Sequence, residues 1–223
     1  MTIQIEFLKS VPYFTDLNAD ELNSLRTHIF EKTVARGEVI ILEDDPSGTL
    51  FFVVSGAVKV FKTSAEGKEQ ILHIVRPGEP VNDVPVFDGG PSPVSAQTMT
   101  PVLLYGIDRN DLLEVLKEHP QINQRIIKLL AERVRNLMSL VEDLSFRHVI
   151  GRVAKILLEH TGSDDDPRPH LTQQEMAAIA GTAREVVARS LKTLEGDGII
   201  RLEHHRIVIT DKEALQEMAG MTY

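Results

Sequence analysis

Three charged residues within one short segment, Arg184, Glu185 and Arg189, have the types and spacing to read DNA. A guanidinium pairs bidentately with guanine O6 and N7, and a carboxylate accepts from cytosine N4. They sit in Leu171 to Ile200, LTQQEMAAIAGTAREVVARSLKTLEGDGII. Two amphipathic runs there, Gln173 to Ala180 and Ala183 to Glu195, are separated by Gly181 and Thr182, which predicts a helix, a tight turn and a second helix. Val186, Val187, Leu191 and Leu194 are spaced for one buried face, and the three charged residues fall on another. On periodicity alone the segment is equally two helices of an ordinary bundle with a Glu185 to Arg189 salt bridge. The rest of the chain has to decide.

A chain of 223 residues holds one large or two modest domains. With 42% hydrophobic and 26% charged residues it has the composition of a soluble globular protein. The absence of cysteine excludes a disulfide framework, a cysteine-ligated iron-sulfur cluster, a zinc ribbon and a cysteine nucleophile, and it fits a cytoplasmic chain. MTIQIEFLKSVPYF lacks the pattern of an export signal. No segment reaches the ~20 apolar residues of a membrane span, so no membrane partner is expected. The net charge of -9 weighs against nucleic acid, yet most of the acid excess lies before residue 145. Within the second run, Ala183 to Glu195, Arg184, Arg189 and Lys192 outnumber Glu185 and Glu195, and a specific binder needs only a local basic surface.

The elements that would position these residues follow in order. Asn18-Ala19-Asp20-Glu21 is a capping-box pattern opening a helix to about His28. From Phe30 to Ile107, short β-branched and aromatic runs are punctuated by glycine at roughly ten-residue intervals, the rhythm of an antiparallel β-roll or jelly roll. Ser64 to Lys68 reads as a hairpin loop. Next, Ile127, Leu130, Val134, Leu137, Val141 and Leu144 recur at steps of three and four, a seam that wants a partner helix, most economically its own copy in a homodimer. Arg125, Lys128, Glu132, Arg133, Arg135 and Glu142 are expected to keep the other faces wet. Phe146-Arg147-His148 reads as a hinge, followed by a helix from Val149 to His160 and an exposed loop containing Asp164, Asp165 and Asp166. Ile199 to Leu202 and Arg206 to Ile209 form two strands joined through Glu203, His204 and His205, which completes a winged helix. The fold class is therefore α+β, in three parts: a roll with an N-terminal helix at 1–108, a long dimerisation helix at 109–145 and a winged helix-turn-helix at 146–223. Three consecutive aspartates cannot all face one ion, so no metal site is expected. Nor is there a nucleophile-base pair or a phosphate-binding glycine motif, which argues against an enzyme.

In this order of parts the chain resembles the Crp/Fnr family of bacterial transcription regulators over nearly its whole length. The motifs that carry the resemblance are Gly48-x-Leu50-Phe51-Phe52-Val53-Val54 with Gly56 and Val58, the run from His119-Pro120 to Ala154, and Leu171-Thr172-x-Gln174-Glu175 through Gly181-x-x-Arg184-Glu185-x-x-x-Arg189 to Leu194-Glu195. The resemblance implies a cyclic-nucleotide-binding-like roll, a double-stranded β-helix, controlling a DNA-binding homodimer. It implies that Arg184, Glu185 and Arg189 read TGTGA-related half-sites of a pseudo-palindrome. Thr172, Gln173, Thr182, Lys192, His205 and Arg206 would then position phosphates. RNA polymerase is an implied partner, touched near the Asp164 to Asp166 loop.

For the effector, the resemblance implies a pocket made by Val81, Asp83, Val84, Val86, Phe87, Pro93 and Val94 with Leu137 and Met138 of the long helix. Asp83 could take the ribose, but no arginine occurs between Arg76 and Arg109 to take the cyclic phosphate that family members hold with one. A buried phosphate without its guanidinium forgoes charge-assisted hydrogen bonds worth ~1.5–3 kcal/mol each. Leu137-Met138 also stands where cyclic-AMP-binding members present a Thr-Ser pair to the adenine. Cyclic AMP is therefore not expected, and the small-molecule effector is unidentified. A haem-based gas sensor remains open, with His28, His73, His119 and His148 as candidate ligands. A rival of another class is a ligand-binding roll whose winged helix makes protein contacts, which a shallow salt dependence of duplex binding would reveal.

Overall fold

The structure, a computed structural model, describes residues 3–46, 48–160, 171–203 and 206–220. Two short helices open the chain, α1 (Ile5–Ser10) and α2 (Ala19–Arg26). The capping box expected at Asn18 forms: its side chain accepts from the amides of Asp20 and Glu21, and Glu21 returns a carboxylate to the Asn18 amide at 2.7 Å. Strands β1 (Ile29–Val34), β2 (Val39–Ile41), β3 (Thr49–Ser55), β4 (Val58–Thr63), β5 (Glu69–Val75) and β6 (Pro80–Val81) follow, then helix α3 (Asp83–Asp88) and strands β7 (Ser95–Thr98) and β8 (Val102–Asp108). They build two four-stranded sheets, ordered β1-β8-β3-β6 and β2-β7-β4-β5. The pairs whose register is defined are antiparallel. The expected roll is thus present.

The unbroken apolar run Leu50 to Val54 is explained by burial on both faces of its sheet. Phe51 and Val53 point into the core between the sheets with Val34, Val58, Val60, Val75, Val102 and Leu104. Leu50 and Phe52 point the other way, into a second core with Leu8, Phe14, Leu22, Leu112, Ile122 and Ile126. Alternation is a period-2 signal only where one face is wet, so this strand shows none.

Helix α4 (Arg109–Glu118) and helix α5 (Gln121–Phe146) replace the single helix expected over 109–145. The break falls at His119, in a non-helical conformation before Pro120, because proline crowds the preceding residue out of the helical region. Ile122 and Ile126 of α5 are buried on the helix side of the roll, with Leu129 and Leu130 packed beside them. Leu130, assigned from sequence to the dimer seam, therefore serves its own roll. The other seam residues, Ile127, Val134, Leu137, Val141 and Leu144, are exposed, as is Met138, with Val134 at 55%.

Contact density divides the chain into two compact units, Met1–Lys62 with His73–Asn136 and Thr63–Leu72 with Leu137–Tyr223. The boundary thus falls inside α5, and the hairpin tip belongs with the second unit. That unit contains α6 (Val149–His160), α7 (Gln173–Ala180), α8 (Arg184–Gly196), an antiparallel pair β9 (Ile200–Glu203) and β10 (Arg206–Ile209), and α9 (Lys212–Met218). Its core joins Val153, Leu157, Met176, Ala177, Val187, Leu191, Leu194, Ile200 and Leu215. The small residues Ala177 and Ala180 let α7 approach its neighbours closely, and the winged helix-turn-helix forms as expected.

Gly56 is the turn on which β3 hands over to β4. Its φ of +89° is open to glycine, and an added Cβ would lie 2.4 Å from the Pro101 carbonyl oxygen. Gly56→Ala is expected to lower the unfolding free energy by roughly 2–4 kcal/mol, combining left-handed strain with overpacking, as read by urea denaturation.

Candidate nucleic-acid interface

Helix α7 begins at Thr172, whose hydroxyl accepts from the Glu175 amide (3.2 Å) and donates to its carboxylate (2.8 Å). The Glu175 carboxylate also accepts the Thr172 amide at 2.6 Å, completing a capping box. Thr172, expected to meet a phosphate, thus has its hydroxyl engaged within the helix start. At the other end the chain turns at Gly181 in a left-handed conformation, φ 64°, which brings the Gly181 and Thr182 amides onto the Ala177 carbonyl. Three residues after Gly181, α8 starts.

On α8 the inner side is made by Val187, Ser190, Leu191 and Leu194, all buried. Buried Ser190 satisfies its hydroxyl by donating to the Val186 carbonyl at 3.0 Å, and Val186 itself is half-buried. Glu185, Arg189 and Lys192 are exposed on the opposite side, while Arg184 is exposed as the first residue of the helix, in line with Leu191 seven positions on. Glu185 and Arg189 do not pair with each other, and none of the three expected readers has an ion-pair partner among the described residues. Among the described residues the two guanidinium groups and the carboxylate are thus left without an ion pair. Ala183 at the N-cap provides no side-chain acceptor, so the first-turn amides are also uncapped by the chain.

Gln173 and Thr182 are half-buried flanks of the same segment. In the wing, Glu203 holds two arginines: Arg201 donates to it at 2.9 Å and Arg206 at 2.5 Å. These bonds pull the Glu203 carboxyl below the usual carboxylate range. His204 and His205, and the aspartates 164 to 166, lie outside the described residues.

The hinge between α5 and α6 is an ionic knot. Asp143, 8% exposed, accepts from Arg147 Nε at 2.8 Å and from Lys155 Nζ. Burial alone would raise its pKa, but the hydrogen bonds from Lys155 and Arg147 outweigh burial and hold it below the ordinary value. Sequence reading missed this residue; its signal was a charge between seam positions Val141 and Leu144.

In the roll, the candidate effector residues divide between two cores. Val81 belongs to the core between the sheets, with Val94 half-buried against it. Val86 and half-buried Phe87 belong to the helix-side core instead. Val84 and Pro93 are exposed, as are Leu137 and Met138 beyond the unit boundary. Asp83, 3% exposed, is not a free carboxylate: Arg133 Nη1 donates to both of its oxygens at 2.6 Å, and the Tyr13 hydroxyl lies 3.4 Å away. Arg133, expected to be wet, is thus the guanidinium of this site, and Arg109 donates to the Val86 carbonyl at 3.0 Å at the far end of α3. Both arginines lie outside the loop where a phosphate ligand was sought. No sequence signal links Arg133 to a partner fifty positions away.

Burial pushes the Tyr13 hydroxyl up, and the Asp83 charge adds to it. Burial also pushes His73 down to about 4, helped by the Arg133 charge, and its Nε2 is buried without a hydrogen-bond partner. Of the other haem-ligand candidates, His28 faces Asp111 at 3.6 Å, His119 faces Glu21 at 3.2 Å and His148 is exposed. No cluster of three or more metal-ligating side chains occurs among the described residues.

Comparison with known proteins follows this geometry. Residues 31–119 match the cyclic nucleotide-binding domain family and residues 151–218 the Crp-like helix-turn-helix domain family. The chain is similar to the CRP-like cAMP-activated global transcriptional regulator of Mycobacterium tuberculosis, at 31% identity over 96% of this chain and 99% of the relative. It is also similar to the cyclic AMP receptor protein of Thermus thermophilus, at 29% identity over 95% of this chain and 98% of that one. A solved transcriptional regulator of the Crp/Fnr family from Eubacterium rectale has the same fold, with TM-score 0.78 at 23% identity over 95% of this chain and 99% of its own.

The His73 environment has a measurable consequence. Unfolded, the imidazole takes a proton near 6.5; folded, near 4. Between those values the unfolded state binds more protons, so stability falls as pH falls through the window. His73→Gln is expected to remove that part of the acid limb, read as a flatter stability profile between about pH 6.5 and 4 in urea melts.

Proposed function

This chain belongs to the Crp/Fnr family of transcription regulators, and from that premise we propose that it is a homodimer reading a pseudo-palindromic operator through Arg184, Glu185 and Arg189. Coarsely, it is a Crp-like regulator with a helix-turn-helix DNA-binding domain and not an enzyme. The observation that carries the finer reading is α8 itself: one side is packed, the opposite side presents the Arg189 guanidinium and the Glu185 carboxylate, and Arg184 stands exposed at the first position of the helix. Those groups match guanine and cytosine edges in a major groove. The uncapped first turn, Gln173, Thr182, Lys192 and Arg206 would face phosphates, which fix register without reading sequence.

Dimerisation is supported by the exposed apolar side of α5, where Ile127, Val134, Leu137, Met138 and Val141 follow one another along a single continuous helix. A copy packed on that side in two-fold symmetry would set two α8 helices ~34 Å apart, in successive major grooves. RNA polymerase and a cytoplasmic setting belong to the same reading. Among the described residues no helix is long and apolar enough to cross a membrane.

For the effector we propose a small molecule other than cyclic AMP. The names of the relatives favour cyclic AMP. Against it, no arginine occurs between Arg76 and Arg109, and Arg133 is already engaged with Asp83. The residues present do not fit a cyclic phosphate.

Arg189→Ala is expected to cost ~1–3 kcal/mol of operator affinity and to relax preference at one position per half-site, with the salt slope nearly unchanged. Anisotropy titrations against single-base operator variants at several salt concentrations measure both; equal weakening on every sequence would sink the base-reading role. Calorimetry with cyclic AMP should give no micromolar isotherm, and such an isotherm with tightened operator binding would make cyclic AMP the effector.

A further inference from the structure

An α-helix leaves its last carbonyls without intrahelical donors, and its C-terminal end carries partial negative charge. In α7 the turn at Gly181 satisfies the Ala177 carbonyl. Three carbonyls beyond it take donors from side chains far away in sequence. Gln70 Nε2 donates to the Ile179 carbonyl at 3.1 Å, Arg152 Nε to that of Ala180 at 2.7 Å, and Lys68 Nζ to that of Gly181 at 3.4 Å. Two of the three donors are cations, the charge a helix C-terminus favours.

These donors arrive from two directions. Lys68 and Gln70 lie on the hairpin tip 63–72, whose flanking strands β4 and β5 continue into the β2-β7-β4-β5 sheet. Arg152 sits on α6, and its Nη1 also donates to the Arg147 carbonyl at 2.5 Å and the Asp143 carbonyl at 3.4 Å, at the end of α5. Little slack is left around the turn, since a Cβ on Gly181 would lie 2.7 Å from Leu144 Cδ2 and 3.0 Å from Gln70 Oε1. Only Thr182 and Ala183 separate Gly181 from Arg184, so a displacement of the held carbonyls is passed directly to the first reading residue.

We propose that Lys68, Gln70 and Arg152 are positioning residues for base reading. They hold the carbonyl end of α7, and through the short turn they fix the entry of α8. The proposal rests on the reading of α8 as a DNA-reading helix.

The test uses the full-length protein and the double variant Lys68→Met, Gln70→Leu, which keeps side-chain bulk and removes both donors. Hydrogen exchange of the peptide covering 177–185 is measured together with affinity for a palindromic TGTGA duplex and for its scrambled counterpart. Exchange in that peptide should rise about tenfold, while strands β3 and β8 stay protected. Preference for the palindromic over the scrambled duplex should shrink by roughly three- to tenfold, with binding to the scrambled duplex unchanged. Lys68→Arg, which keeps a cationic donor, should behave as the unaltered protein. Unchanged exchange in the double variant would overturn the proposal, as would faster exchange with undiminished preference, which would reduce the residues to a helix cap. Failure of the DNA reading has a separate signature: the unaltered protein would then show no preference between the duplexes, whatever the exchange data report.

Discussion

Strand β3 is buried on both faces, and much of the first unit follows from that constraint. Phe51 and Val53 require a second sheet over them, which the β2-β7-β4-β5 layer provides; Leu50 and Phe52 require helices, which α1, α2, α4 and the first turns of α5 provide. Because Ile122 and Ile126 must lie on the roll, the remaining side of α5 cannot. The helix thus leaves the roll with one apolar side spent and another, through Val134 and Val141, still exposed. The same seating brings Arg133 over α3, where it meets Asp83.

Among the described residues, the buried carboxylates Asp83 and Asp143 lie where elements must keep a fixed relation. Asp83 with Arg133 ties α3 to α5, and Asp143 with Arg147 and Lys155 ties α5 to α6. Neither pair is strong evidence for stability, because desolvation offsets much of the Coulomb gain. Their value is geometric: a carboxylate taken out of water tolerates only the arrangement that supplies its donors. Arg152 extends this logic to neutral acceptors by spanning the carbonyl ends of α5 and α7. Where a sensor must move a reader, bonds of this kind allow a few discrete arrangements rather than continuous drift.

Most of the reading side of α8 was legible in the sequence because a helix period of 3.6 separates Val187, Leu191 and Leu194 from Glu185 and Arg189 with no outside information; Arg184, seven positions before Leu191, is exposed because it opens the helix. The capping box at Asn18 was equally local; the one at Thr172 appears only in the structure, where it occupies a hydroxyl expected to meet phosphate. Less legible were α3 and the break at His119, where short range mixes with context: Asn82 adopts a left-handed conformation (φ 70°) that no periodicity announces. Leu130 kept the spacing of the seam yet faces the roll. Spacing reports which residues share a side of a helix, and it does not report what that side meets.

By itself, then, the sequence determined the order of parts, the buried and wet sides of α8 and the absence of cysteine chemistry, because each is a property of neighbours along the chain. Only the tertiary structure decided which groups face Asp83, which side of α5 is left open and which donors reach the carbonyls of α7. Arg133, Lys68 and Gln70 are fifty to more than a hundred positions from the groups they hold. Over such separations a charged or amide side chain looks like ordinary surface until the packing of Ile122, Ile126 and the two sheets has placed it beside its partner.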